Sequence, residues 1–212
     1  MSPQMISSVN ELRAIYGTPP ADSLAVRCVL PRLDRHHRAF IALSPLVIIA
    51  SADAEGAPDV SPRGDLPGFV VVMNDNTLLL PDRPGNKKLV TLTNILENPK
   101  VALIFFVPGR DDSLRVNGSA LISSEPSLLA RLAVQGKNPR SALVVTVEQA
   151  WLHCGKALIR SRLWNEHAKV PPNALPTLGT MLADQISGVD ATKADARLEK
   201  ANTERLWGEP TS

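Results

Sequence analysis

Leu78-Leu79-Leu80-Pro81-Asp82-Arg83-Pro84-Gly85-Asn86-Lys87-Lys88 is a short apolar run that breaks into a turn and ends on two adjacent lysines. The Pro-Gly pair marks the turn. Beyond it Leu89, Leu92, Ile95 and Leu96 form an apolar stripe closed by Asn98-Pro99, which predicts a helix over 87–98. The stretch therefore reads as strand, turn and helix, with paired cations where the helix starts. Ammonium groups make strong charge-assisted bonds to phosphate oxygens, and a helix N-terminus adds unpaired N–H donors. Taken alone, a lysine-bearing turn is more often an ordinary solvated loop. The spacing is not that of a nucleotide P-loop, because Gly85-Asn86-Lys87-Lys88 lacks the hydroxyl that would meet magnesium.

Working outward, Val60-Ser61-Pro62-Arg63-Gly64-Asp65 brings a second cation to a strand edge. It follows the strand-like Leu46-Val47-Ile48-Ile49-Ala50-Ser51 and the turn Asp53-Ala54-Glu55-Gly56. In Leu114-Arg115-Val116-Asn117-Gly118-Ser119-Ala120 the alternation puts a guanidinium and an amide on one face. Short apolar or alternating runs recur at 46–51, 57–63, 69–73, 77–80, 101–107, 114–122 and 142–148, the spacing of a small β-barrel or sandwich. Helical patterns precede them at 8–16, 21–28 and 33–43, and one interrupts them near 126–134. After Gly155 the chain reads as helical pieces, the last over 191–207. The expected organisation is one structural domain: a helical lead-in over 1–44 packed on a core at 45–165, then a helical extension over 166–212.

A chain of 212 residues with 44% hydrophobic content is long enough for one sizeable core. With 23 basic residues scattered among 21 acidic ones and an aromatic content of 4%, it has neither the charge nor the stacking groups of a nucleic-acid binder. The apolar stretch over 39–50 is broken by Ser44-Pro45 and too short to span a bilayer, and the start lacks the pattern of a secretory leader. Cys28 and Cys154 are far apart and without histidines at metal-ligand spacing, so a reducing cytoplasm is expected and a metal site is not.

Five segments together resemble the pyridoxamine 5'-phosphate oxidase-related, FMN-binding branch of the split β-barrel flavoproteins. They are SPRGD at 61–65, LLLPDRPGNKKL at 78–89, NILENPKVALIFFVPG at 94–109, LRVNGSA at 114–120 and HCGKALIRSRLW at 153–164. The resemblance covers roughly residues 36 to 165. It implies a mainly β fold with flanking helices: a six-stranded antiparallel Greek-key split barrel that forms a homodimer with FMN at the subunit interface. Carried over segment by segment, Arg63, Lys87 and Lys88 would hold the FMN phosphate, and Ser61, Asp82, Arg83 and Asn86 would line the ribityl chain or ring. Lys156, Arg160, Ser161 and Trp164 would reach the flavin bound mainly by the partner chain. Arg115, Arg160 or a backbone N–H would stabilise negative charge on the reduced ring. The residues alone point to an anion site and leave other phosphorylated ligands open.

The resemblance implies an FMN-dependent oxidoreductase acting on a small molecule. The alternative is a protein that binds flavin, deazaflavin or haem without turnover, His153 or His167 being the candidate haem ligands. Oxidation of pyridoxamine phosphate itself is not expected, because the closing residues 207–212 lack the arginine-rich segment of the parent oxidase. His36 and His37 read as part of a solvated basic helix face, and His153-Cys154 as strand neighbours pointing to opposite faces. Trp151 and Trp207 read as packing residues. There is no Gly-x-Ser-x-Gly elbow, so hydrolase chemistry is not supported.

Overall fold

The computed structural model describes residues 5–204, 206 and 207. The readings of residues 1–4 and 208–212 lie outside the described residues. In chain order come helices α1 (Val9–Tyr16), α2 (Leu24–Arg27) and α3 (Arg35–Leu43), then strands β1 (Leu46–Ala52), β2 (Pro58–Gly64), β3 (Val71–Asn74) and β4 (Thr77–Asp82). Helix α4 (Val90–Glu97) leads to β5 (Lys100–Phe106) and β6 (Ser113–Ser123), and α5 (Pro126–Ala130) to β7 (Ser141–His153). The chain ends in α6 (Lys156–Ser161), a short 3-10 turn at Glu166–Ala168, α7 (Leu178–Gln185) and α8 (Ala191–Glu204).

All seven strand-like runs form strands, and they join one antiparallel sheet in the order β2-β1-β5-β6-β7-β4-β3. The four-residue β3 hairpins onto β4 and brings the count to seven. The sheet curls as a split barrel and does not close through hydrogen bonds; β2 and β3 are its edges. Proline explains the edge at β2, because Pro58 and Pro62 take two N–H donors out of a strand that could not then serve two neighbours. Pro81 is tolerated in β4 because β3 pairs only as far as Leu79, leaving β7 as its single partner there. A bulge between Asn117 and Gly118 shifts β6 against β7. A Cβ at Gly118 would lie 1.9 Å from the Thr146 carbonyl oxygen, so only glycine fits.

Each strand's alternation decides what faces inward. Val47 and Ile49 of β1, Leu103 and Phe105 of β5, Leu114 and Val116 of β6 and Val145 of β7 fill the main core. Phe40 and Ile41 of α3 and Ile95 of α4 join it. A smaller cluster of Leu79, Leu129, Leu132 and Ala142 lies outside β4 and β7, under α5. No described helix is long and apolar enough to cross a membrane, and no group of metal-ligating side chains occurs among the described residues.

Three sequence expectations need correction. The helix expected from residue 87 begins at Val90, because Lys87 and Leu89 adopt left-handed backbone (φ 61 and 58) and Leu89 becomes the N-cap. The lysines therefore precede the helix rather than open it. The helix expected over 21–28 shrinks to four residues, after Pro19-Pro20. His37, expected on a solvated face, is 4% exposed: its Nδ1 accepts the Asp34 N–H at 3.2 Å, while Asp34 Oδ1 caps the N–H groups of His36 and His37.

Candidate functional site

The sheet's open seam carries the candidate residues. On β2, Asp59, Ser61 and Arg63 pair with Ser51, Ile49 and Val47 of β1 and share their inward-facing side. Arg63 Nη1 reaches across the gap to Asp82 Oδ1 at 2.5 Å, joining the end of β2 to the end of β4. One residue on, Arg83 Nε donates to Asp65 Oδ2 at 2.6 Å, and Arg83 Nη2 to the Leu132 carbonyl at 2.9 Å. Two ion pairs thus bridge a gap that strand hydrogen bonds leave open. Helix α4 is fixed to the same edge: Thr91 Oγ1 donates to Asp59 Oδ2 at 2.9 Å, and Asn94 Nδ2 to Ser51 Oγ at 3.1 Å in a buried setting.

Between these anchors runs the turn Pro84-Gly85-Asn86-Lys87-Lys88. Asn86 Oδ1 accepts the Lys88 N–H at 3.0 Å, which shapes the turn. Left-handed backbone at a lysine and a leucine costs on the order of 1 kcal/mol each. Flanking a residue of ordinary φ, such conformations bend the chain into a concavity of the kind that receives anions. Lys87 and Lys88 are exposed, and neither forms an ion pair among the described residues. Both arginines are matched by carboxylates, so the positive charge free to meet an anion comes from the two lysines, set against the Asp59 carboxylate, whose partner is the Thr91 hydroxyl. Arg63 Nε is buried without a hydrogen-bond partner, a donor left free by the Asp82 pair.

The remaining predicted residues lie elsewhere. Arg115 stacks on the Trp151 ring at 4.7 Å from its centroid. It stands on the outer side of the sheet, in a row that runs Pro62, Ile48, Ile104, Arg115, Trp151 across five strands. Lys156, Arg160 and Ser161 are exposed on α6, with Ser161 Oγ bonded to the Leu158 carbonyl. Trp164 Nε1 donates to the Arg110 carbonyl at 2.7 Å. Arg110 in turn forks onto Asp112, and that hydrogen bond holds the Asp112 carboxyl below its ordinary range. Asp82 pairs with Ser141 at the start of β7 and Arg115 with Trp151 near its end, and Arg115 stands on the opposite face of the sheet from Ser61 and Arg63. One chain therefore brings Ser61, Arg63, Asp82, Arg83, Asn86, Lys87 and Lys88 to the seam, and leaves Arg115 and the 156–164 group at the other end of β7.

Two seam residues escaped the sequence reading. Asp65 was visible only as the last letter of the SPRGD segment, and Trp207 carried no local signal at all. The Trp207 indole N–H donates to Asp65 Oδ1 at 2.9 Å, a contact between residues 142 positions apart. Beside this pair lies a hollow of about 190 Å³ bounded by Gly68, Phe69, Arg83, Arg131 and Leu132. A broader, more open depression of about 750 Å³, around Arg32, Arg35 and Asp75, sits beside the β3–β4 turn, at the other end of β4 from Asp82.

Comparison with known proteins follows the same lines. The family model described as pyridoxamine 5'-phosphate oxidase matches residues 33–154, more than half of the chain. No curated protein matches the sequence. Among solved structures, HupZ of Group A Streptococcus is 19% identical, with 57% of this chain and 93% of that one covered and a TM-score of 0.47. A putative pyridoxamine 5'-phosphate oxidase from Lactobacillus delbrueckii is 22% identical, covering 57% and 95%, with a TM-score of 0.44. An FMN-binding protein from Syntrophomonas wolfei is 15% identical, covering 55% and 81%, with a TM-score of 0.41. The match over 33–154 embraces every strand from β1 to β7 and the seam residues from Asp59 to Lys88, and on that match the chain belongs to the pyridoxamine 5'-phosphate oxidase family.

Proposed function

We propose that this protein binds FMN at the seam and works as an FMN-dependent oxidoreductase on a small molecule, as a homodimer in the cytoplasm. The observation that carries the cofactor assignment is the pairing of Lys87 and Lys88, neither in an ion pair among the described residues, with Arg63 and its idle buried Nε. Together they offer a phosphate dianion two full positive charges and a further donor, with Asp82 and Asp65 holding the two arginines in place. Ser61 and Asn86 would meet the ribityl chain nearby. Bound FMN supplies a hydride acceptor and donor at its N5. The chain's own part is to anchor the phosphate, orient the ring and exclude water beside it.

Surface chemistry supports the homodimer reading. Leu46, Ile48, Ala50, Ala102, Ile104 and Phe106 form the outer side of β1 and β5, half-buried and outside both packed clusters. Strands apolar on both faces are normally covered on both. In such a dimer the Arg115 and 156–164 group of the second copy would approach the first chain's seam.

The test is affinity for FMN. Lys87→Ala with Lys88→Ala should weaken binding by about 3–6 kcal/mol, from roughly 1.5–3 kcal/mol per charge-assisted contact. Wild-type affinity in that double variant would overturn the phosphate assignment. Reduction of the bound flavin by NAD(P)H and its reoxidation by an acceptor would support an enzyme; a flavin that no donor reduces would leave a binding protein.

A further inference from the structure

We infer that Trp207 is a positioning residue for the cofactor turn: through Asp65 it holds Arg83, and with Arg83 the segment that carries Lys87 and Lys88. The affinity readout of this inference rests on the flavin assignment above.

The Asp65 side chain is fully buried, and a buried carboxylate needs its donors. It has three. The Leu66 N–H, at 2.8 Å, and the Trp207 indole N–H, at 2.9 Å, meet Oδ1, while Arg83 Nε meets Oδ2 at 2.6 Å. Arg83 is also tied to the Leu132 carbonyl, so it joins the loop after β2, the exit of α5 and, through Asp65, the C-terminal segment. Pro84 follows directly; its ring fixes its own backbone and restricts Arg83 to extended conformations. Arg83-Pro84 is therefore the stiff base from which the Gly85–Lys88 turn projects, and the Asp65 carboxylate sets where that base stands.

Trp207 belongs to a unit that otherwise touches the sheet little. Helices α7 and α8 pack chiefly on each other, joined through Asp195, which accepts from the Gly179 N–H at 2.7 Å and the Thr177 hydroxyl at 2.6 Å. A Cβ at Gly179 would lie 2.4 Å from the Ala191 carbonyl oxygen, so the two helices meet at the closest approach glycine allows. No residue of α8 is buried. Among the described residues the indole N–H is thus a contact by which this segment reaches the seam, and it ends on the carboxylate that holds Arg83. Loss of it leaves Asp65 short of one donor and Arg83 with a looser partner.

Trp207→Phe removes the N–H, and because Trp207 is only half-buried and belongs to neither packed cluster the core is left intact. FMN and riboflavin affinities are to be measured by flavin fluorescence for the wild type, W207F, R83Q and the double variant. The expected result is about tenfold weaker FMN binding in W207F, with riboflavin, which lacks the phosphate, changed less than about twofold. In the R83Q background W207F should add little, because the two act through one carboxylate. Equal weakening of both ligands, or unchanged FMN affinity in W207F, would overturn the inference. Should the wild type take up no FMN, the flavin assignment falls separately, and hydrogen exchange of the ligand-free protein decides. The Arg83 Nε–H, bonded to Asp65, should then exchange faster in W207F than in the wild type with the amides of β5 and β6 unchanged, and identical exchange would overturn the inference.

Discussion

The outer side of the sheet is handled differently in its two halves. Over β4 and β7 the chain covers it itself: Leu79 and Ala142 are fully buried beneath Leu129 and Leu132 of the α5 region. Over β1 and β5 an equally apolar set, Leu46, Ile48, Ala102, Ile104 and Phe106, is left half-exposed. Both halves consist of strands too apolar for water on that side, yet one is finished within the chain and the other is not. The difference teaches that one apolar pattern can be covered by the chain in one half of a sheet and left half-exposed in the other, and the half-exposed part adjoins Arg115.

The two halves should respond differently to substitution. The largest effect is expected on the covered half, where Leu79→Ala should lower unfolding free energy by about 2–5 kcal/mol, read by denaturant melts, with the oligomeric state unchanged. On the open half Ile104→Asp should leave the fold intact but weaken self-association by about 2 kcal/mol or more, read by sedimentation across a concentration series. A monodisperse wild-type monomer would break the comparison. FMN loss should accompany dissociation in that variant, since a ligand that bridges two chains stabilises the assembly it binds.

The smallest expected effect concerns neither half. Burial holds the His37 imidazole below its ordinary 6.5, while Asp34's charge pulls the other way. The neutral ring is therefore favoured in the folded state. Its contribution to stability is complete above about pH 6.5 and declines as the pH falls toward the lowered folded-state value, because the unfolded chain binds the proton more readily. His37→Gln should flatten this acid-side slope in melts between pH 7 and 5, without moving the association constant.

All seven strands were legible in the sequence because each carries its own pattern: the run of β1, the alternation of β6 and the prolines of β2 are local signals. The start of α4 was not. Lys87-Lys88 look helical by propensity, but the preceding Pro-Gly turn needs left-handed backbone at Lys87 and Leu89 to bring the chain onto the sheet. His37 failed for a related reason: adjacent histidines flanked by arginines look solvated, and only the docking of α3 turns one of them inward. At the site the cations Arg63, Arg83, Lys87 and Lys88 were legible as residues, and the carboxylate partners of the two arginines, Asp82 and Asp65, were not legible as partners. Those pairs cross the seam between strands that share no hydrogen bonds, and Trp207 reaches it from the far end of the chain.

The visible absorbance spectrum of the purified protein, with mass spectrometry of what heat releases from it, tests the central claim most directly. The account predicts a flavin spectrum and free FMN, near one per chain. A colourless protein that takes up no added FMN would contradict it, and the seam would then be a structural clasp with two idle lysines.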